Sequence, residues 1–159
     1  MDLWKYYDGD LKYFNMFDYL HEKEIAKTNP KWAYEYALKH GKDEELEPII
    51  AKSAKYSYLY ADEVLSDEFK LGEKAIAKDN VYSYWYAKYI LKDKFPLGEP
   101  EIAKNTEESY YYAKHTLKGE FPLGEPAIAK DEYYLKRYTQ EILKKDFYLD
   151  GKLICKYKG

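Results

Sequence analysis

Residues 95–104 read Phe-Pro-Leu-Gly-Glu-Pro-Glu-Ile-Ala-Lys, and residues 121–130 repeat this stretch with one change, Glu to Ala. The Ile-Ala-Lys triplet within it recurs along most of the chain. Its isoleucine returns every 26 residues, with one interval of 25, at Ile25, Ile50, Ile76, Ile102 and Ile128. A repeat of constant length and of this size is typical of proteins in which similar short units stack on their neighbours.

Proline and cap residues divide each unit into two predicted helices. Pro100 and Pro126 favour the start of a short helix, because proline is tolerated in the first helical turn. We expect this helix to continue through Lys104 and Lys130. A longer helix should then begin after a capping side chain that accepts backbone hydrogen bonds; the candidates are Asn29, Asp79, Asn105 and Asp131.

The predicted fold class is all-α, since no stretch alternates between apolar and polar residues over a useful length. We expect one domain, 1–159, built as an α-solenoid of about five hairpins of a short and a long helix. Residues 1–24 form the predicted N-terminal cap, 25–146 the repeats, and 147–159 the C-terminal cap. The last cap should end in a short helix from Leu153 to Tyr157.

The long helix carries a broad apolar arc when its Tyr-Ala tyrosine is numbered zero. At about 100° per residue, positions −4, −2, 0, +1, +4 and +5 cover roughly 200° of its surface. A helix with neighbours on both sides needs such an arc, whereas an isolated amphipathic helix needs less. The reference tyrosines are Tyr36, Tyr60, Tyr86, Tyr112 and Tyr138.

Positions −1 and +3 of the long helix vary between repeats while the core positions persist. In stacked repeats the framework recurs and the binding face varies. Several variable residues are aromatic, and we predict that they form one partner-binding patch, comprising Leu59, Trp85, Tyr89, Tyr111 and His115. A terminal segment or a second copy of the chain could equally cover this patch, and plain exposure is a third interpretation.

Composition and charge disfavour several function classes. The formal net charge is −3, so no strong field attracts nucleic acid. The single cysteine, Cys155, permits no internal disulfide. No apolar run is long enough to span a membrane, and the N-terminus lacks the apolar core of a signal peptide. We therefore expect a cytoplasmic protein with no membrane partner.

The sequence contains little that points to catalysis. The histidines are His21, His40 and His115, and no two share a helical face at a metal-ligand spacing. Cys155 occupies the alanine position of the repeat, which favours a packing role. The Leu-Gly-Glu-Pro segment is a turn, not a phosphate-binding loop. We predict a non-enzyme with no catalytic residue, metal or cofactor.

Two series of residues that recur along the repeats, one of tyrosines and one of lysines, leave an alternative function open. Tyrosine accounts for 21 residues, and a lysine follows each Ile-Ala pair from Lys27 to Lys130. Tyrosine rings beside cations can bind a small nucleotide-like ligand or a single-stranded nucleic acid. The acidic balance and the single arginine, Arg137, disfavour nucleic acid. The lysines also fit a purely structural role, because cations stabilise the C-terminal end of a helix.

The complete unit, Pro-x-Ile-Ala-Lys-Asp followed by Tyr-x-Tyr-Ala-x-x-x-Leu-Lys-Gly-x-Phe-Pro, resembles tandem helical repeats in uncharacterised proteins of tailed phages and giant viruses. The resemblance is closest over 95–130 and extends over roughly 25–156. It implies a viral origin and a host cytoplasmic location, but no catalytic residues. By analogy with small phage proteins, it implies binding of a host or viral protein, for example to inhibit a host factor.

Overall fold

A computed structural model describes residues 19–159. The chain divides into two compact units, the first ending at Glu73 and the second running from Lys74 to Gly159. Residues 1–18, the greater part of the predicted N-terminal cap, lie outside the described residues. We describe the two units separately, and the expectation of a single domain stays a prediction.

The described part of the first unit is helical. Helix α4 continues directly into a π-helical segment, and a short 3₁₀ turn follows it. The elements are α1 (Tyr19–Ala26), α2 (Pro30–His40), α3 (Glu47–Ile50), α4 (Ala54–Leu59) with its π segment (Tyr60–Leu65), and the 3₁₀ turn (Lys70–Gly72).

The second unit repeats a short helix and a long helix, and then ends in a hairpin. Helix α5 (Glu73–Ile76) starts at the boundary between the units. The remaining elements are α6 (Asn80–Trp85) with its π segment (Tyr86–Leu91), α7 (Glu99–Ile102), α8 (Thr106–Tyr111) with its π segment (Tyr112–Leu117), α9 (Glu125–Ile128), α10 (Glu132–Arg137) with its π segment (Tyr138–Leu143), β1 (Phe147–Leu149) and β2 (Lys152–Cys155).

The predicted cap residues start the long helices. The side chain of Asn29 accepts a hydrogen bond from the Trp32 backbone N–H at 3.0 Å. Asp79 accepts from two backbone N–H groups, at 3.0 and 3.1 Å. Asn105 and Asp131 cap α8 and α10 in the same way. These caps satisfy backbone donors that have no partner within their helix, and the prediction is confirmed.

The π segments distinguish the later repeats from the first. In α2, the Gly41 N–H reaches the Ala37 carbonyl, four residues back, at 2.7 Å. After α6, the N–H that reaches the equivalent Ala87 carbonyl belongs to Lys92, five residues on, which adopts a left-handed φ of 54°. The widened turn therefore holds one more residue, and a non-glycine residue ends the helix in an uncommon conformation.

The core follows the predicted tyrosine and alanine ladders. All five reference tyrosines are buried, and Ala37, Ala61, Ala87 and Ala113 have no exposed surface. Positions +4 and +5 are only half-buried. The wider π turn rotates these positions away from the direction expected at 100° per residue.

Position −3, which the predicted arc left out, holds a buried serine in three repeats. The Ser83 hydroxyl donates to the Ile76 carbonyl at 2.9 Å, and so joins a long helix to the short helix before it. A Cβ added at Gly98 would lie 2.7 Å from the same Ser83 oxygen. The Leu-Gly-Glu-Pro turn therefore requires glycine, because the Ser83 side chain lies too close to Gly98 to leave room for a Cβ atom.

The reference tyrosines also join the turn to the short helix. The Tyr112 hydroxyl donates to Glu99 at 2.9 Å and accepts from the Phe95 N–H at 2.8 Å. Tyr138 makes the same pair of bonds, with Glu125 at 3.0 Å and the Phe121 N–H at 2.8 Å. Because one hydroxyl satisfies a buried N–H and a carboxylate, the ladder holds the backbone as well as filling the core.

Two expectations are wrong. The short helices end at Ile102 and Ile128, and do not continue through Lys104 and Lys130. The chain is not all-α, because Leu153 to Tyr157 forms no helix: β2 pairs with β1 as an antiparallel hairpin. Asp150 and Gly151 form its turn with φ values of 51° and 76°, the left-handed conformation that two-residue hairpins require. The protein is mostly helical with one small two-stranded sheet in its described part.

Candidate binding cleft

A cleft opens between α6 and α8 in the second unit. Its volume is about 360 Å³. The lining combines aromatic rings with two carboxylates, one ammonium group and one imidazole. The lining residues are Val81, Tyr84, Trp85, Lys88, Glu107, Glu108, Tyr111 and His115. Concave sites with aromatic walls and a few polar groups are the usual form of a binding site.

Three of the five predicted partner-binding residues meet in this cleft. Trp85, Tyr111 and His115 line it together, and Trp85 is 39% exposed. Tyr89 lies beside it, 49% exposed, and the Lys88 ammonium is 4.7 Å from the centre of its ring. Leu59 is half-buried in the first unit and lies outside the cleft. The binding role of all five residues stays a prediction.

The aromatic walls have defined orientations. The rings of Tyr111 and His115 stack, with centres 5.7 Å apart and planes 12° from parallel. The Lys88 ammonium lies 5.4 Å from the centre of the Tyr84 ring. Hydrogen bonding to Tyr89 raises the pKa of Lys88, so this cation stays charged at neutral pH. The cleft thus already holds one cation against tyrosine faces.

Glu108 is the group in the cleft that sequence reasoning missed. It occupies position −4 of α8, where Trp32, Tyr56, Tyr82 and Tyr134 stand in the other long helices. Its Oε2 atom is buried and has no hydrogen-bond partner among the described residues. Burial raises the pKa of Glu108, against the opposing effects of its own backbone N–H and of the Asn80 side chain, so the atom left without a partner is Oε2 alone. A carboxylate therefore replaces an aromatic ring, and an acceptor atom is left unused.

His115 departs from its repeat in a second way. It occupies position +3, where Glu63 and Glu141 each accept a hydrogen bond from a tyrosine hydroxyl of the preceding long helix, from Tyr34 at 2.6 Å and from Tyr110 at 2.7 Å. Burial lowers the pKa of His115, and the charges of Lys88 and Lys114 lower it further. A neutral imidazole thus stands where Glu63 and Glu141 each join two neighbouring long helices.

The neighbouring interface, between α8 and α10, is closed by Glu141. Besides Tyr110, this carboxylate binds the Lys114 ammonium at 2.6 Å and the Arg137 guanidinium at 2.7 Å. The guanidinium carbon lies 5.0 Å from the centre of the Tyr110 ring and 5.4 Å from that of Tyr133. These contacts hold the pKa of Glu141 down at about 2, with the hydrogen bond from Arg137 as the largest cause.

Two further kinds of feature, a metal-ligand cluster and a membrane-spanning helix, are absent from the part of the chain that the structure describes. Within residues 19–159, no group of three or more His, Cys, Asp or Glu side chains could hold a metal ion. No helix of this part is long and apolar enough to cross a membrane. Cys155, half-buried at the end of β2, is unpaired in a shallow site with three lysines.

The chain matches no known protein family, no curated protein and no solved structure. Function must therefore be argued from the cleft itself.

Proposed function

We propose that this chain is a non-enzymatic binding module that recognises a partner protein through the cleft between α6 and α8. In this proposal its tandem units stack as an α-solenoid, and the variable positions −1 and +3 present the recognition surface. The observation that carries the proposal is the meeting of Trp85, Tyr111 and His115 in one open cleft. Tryptophan and tyrosine are the residue types most enriched at the energetic centres of protein interfaces.

The viral setting is a further part of the proposal. A viral origin, and the binding and inhibition of a host protein, rest on the resemblance of the repeat to those of phages and giant viruses.

A nucleotide-like ligand is the second candidate. A ring stacked on Trp85 with a phosphate at Lys88 would use the same cleft, whose volume of about 360 Å³ accommodates it. Glu107 and Glu108 oppose this binding mode, because carboxylates repel phosphate. Salt separates the candidates, since phosphate contacts weaken steeply as salt rises.

Peptide display tests the protein-binding proposal. A random peptide library is selected on the immobilised wild-type chain, and each selected peptide is then tested for binding to the Trp85→Ala/Tyr111→Ala variant. Leu71→Ala/Leu123→Ala is the matched control, because both leucines are exposed and lie outside the cleft. The control should bind selected peptides as the wild type does.

The expected result is a set of peptides that bind the wild type and the control but not the cleft variant, with equal helical circular dichroism in all three proteins. Peptides that bind all three equally would contradict the assignment of the face. A cleft that selects no peptide but binds AMP, with an affinity that falls steeply with salt, would move the nucleotide candidate to first place.

A further inference from the structure

We propose that the cleft takes an arginine side chain of the partner, with the guanidinium group against the Trp85 and Tyr111 rings and donating hydrogen bonds to Glu108. This inference rests on the proposed function and names the chemistry that the cleft selects. It is drawn from the adjacent interface of the same unit, which holds an arginine of the chain itself.

The α8–α10 interface shows how this fold accommodates a guanidinium group. Arg137 lies over the rings of Tyr110 and Tyr133 and pairs with Glu141 through Nε at 2.7 Å. Its Nη1 atom also donates to the Tyr133 hydroxyl at 2.9 Å. A tyrosine face, a carboxylate and a polar edge together satisfy a planar cation.

Part of that arrangement recurs at the α6–α8 interface, one repeat earlier. Tyr84 corresponds to Tyr110, and Lys88 corresponds to Lys114. Tyr111 takes the place of Arg137, so this interface has no guanidinium group of its own. The corresponding space is the cleft.

Carboxylates are also present at the α6–α8 interface, but at other positions of the repeat than Glu141. His115 stands where Glu141 binds arginine, but Glu107 and Glu108 stand in place of Tyr133 and Tyr134. Both glutamates line the cleft, and the buried Oε2 atom of Glu108 has no hydrogen-bond partner among residues 19–159. A buried acceptor without a donor is costly, and a ligand that supplies the donor removes that cost.

Charge favours a cation over an anion as the occupant. Two carboxylates outnumber the single ammonium of Lys88, whose charge already faces the rings of Tyr84 and Tyr89. Guanidinium suits the site better than ammonium, because it is planar, stacks on aromatic rings and keeps its donors in one plane.

Tryptophan indole signals in ¹H–¹⁵N NMR spectra give a direct test. The chain has three tryptophans, and a Trp85→Phe variant identifies the signal of the cleft. The probes are N-acetyl-arginine amide, N-acetyl-citrulline amide, which has the same shape without the charge, and AMP. Glu108→Gln tests the acceptor. Glu132→Gln is the matched control, since this glutamate on α10 is exposed and pairs only with Lys136 among the described residues.

The arginine probe should shift the Trp85 signal in a saturable, weak, millimolar titration. Citrulline, or the Glu108→Gln substitution, should weaken binding roughly tenfold or more, because a charge-assisted hydrogen bond is lost. Glu132→Gln should behave as the wild type. Equal helical circular dichroism and equal melting profiles of the variants and the wild type show that each variant is folded.

No response to arginine, an equal response to citrulline, or a stronger response to AMP would overturn the inference. Display selection distinguishes this failure from failure of the proposed function. Selected peptides that require Trp85 and Tyr111 but contain no arginine would leave the binding module standing and remove arginine as its target.

Discussion

Helix α8 packs against α6 on one side and α10 on the other, and the two contacts have opposite characters. The contact with α10 is closed, because Glu141 accepts a hydrogen bond from Tyr110 and forms ion pairs with Lys114 and Arg137. The contact with α6 is open, with a cavity of about 360 Å³. The same buried tyrosines and alanines support both contacts, so their difference arises at the variable positions −1 and +3 and at position −4, which holds Glu108.

This difference shows how a repeated framework produces one specialised site. Two departures from the repeat, Glu108 in place of an aromatic residue and His115 in place of a carboxylate, occur on the same helix. The first removes ring volume, and the second removes the carboxylate that joins neighbouring long helices. Five predictions break or sharpen the contrast between the open and the closed contact.

The largest effect should come from overfilling the framework that both contacts share. Ala113 on α8 has no exposed surface. Ala113→Leu should lower the free energy of unfolding by about 1–3 kcal/mol, because the added atoms force neighbouring side chains out of their preferred rotamers. Urea unfolding followed by circular dichroism measures it. An unchanged midpoint would mean that α8 is not packed on this face.

The contact between α8 and α10 should stabilise the protein less when the Glu141 carboxylate is replaced by an uncharged amide. Glu141→Gln should lower the free energy of unfolding by about 1–2 kcal/mol near neutral pH, since hydrogen bonds to a charged group are lost and partial exposure reduces each ion pair. His115→Gln, at the same position of α8, is the control and should change it little. Equal effects at the two sites would contradict the contrast.

Lowering the pH should remove the difference in the free energy of unfolding between the wild type and Glu141→Gln. The pKa of Glu141 is lowered from its usual 4.5 to about 2 in the folded protein. Its stabilisation is therefore fully present above 4.5 and is lost as the pH falls from 4.5 towards 2. The difference between the wild type and Glu141→Gln should narrow over that interval.

The framework could be predicted from the sequence because its signals are local or strictly periodic. Asp79 and Asn105 cap helices through bonds to residues two or three positions away. Tyr112 and Ala113 recur at a constant spacing, which identifies them as core. The π turns were not predictable in this way, since they depend on how the second half of each long helix packs.

Two other features had signals in the sequence that were interpreted wrongly or overlooked. Asp150-Gly151 between short apolar runs indicates a two-residue hairpin, whereas the period of the repeat predicts a short helix from Leu153 to Tyr157. Ser83 is polar and so fell outside the predicted core, although its hydroxyl is satisfied by a helix carbonyl.

The candidate site was predicted in part for a related reason. Trp85, Tyr111 and His115 were found because they vary on a face where solvated helices carry lysine or glutamate. Glu108 was missed because an exposed glutamate is ordinary, and it becomes unusual only beside the aromatic residues at position −4 of the other repeats. A break in a repeat is thus as informative as an unusual residue type.

Restoring the aromatic residue should close the open contact. Glu108→Tyr places on α8 the side chain that α10 has at Tyr134, whose ring lies 5.4 Å from that of Tyr110. We expect the free energy of unfolding to rise by about 1 kcal/mol, because a cavity is filled and a buried carboxylate is removed. Peptide binding at the cleft should be lost. A fall in stability would show that the cleft cannot accept a ring.

The smallest effect concerns the charge of Glu108 and has the opposite sign to that of Glu141. Burial raises the pKa of Glu108 above its usual 4.5, so the ionised carboxylate destabilises the folded protein near neutral pH. Glu108→Gln should therefore raise the melting temperature slightly there, by the equivalent of less than about 1 kcal/mol. As the pH falls through the raised pKa towards 4.5, the wild type takes up a proton and the higher melting temperature of the variant should approach that of the wild type.

Glu132→Gln provides the control, because Lys136 lowers the pKa of Glu132 and the pH dependence of its effect on stability has the reverse sign. A Glu108→Gln variant less stable than the wild type near neutral pH would mean that the Oε2 atom of Glu108 also has a donor within the folded chain, and that the cleft has no unused acceptor for a partner to satisfy.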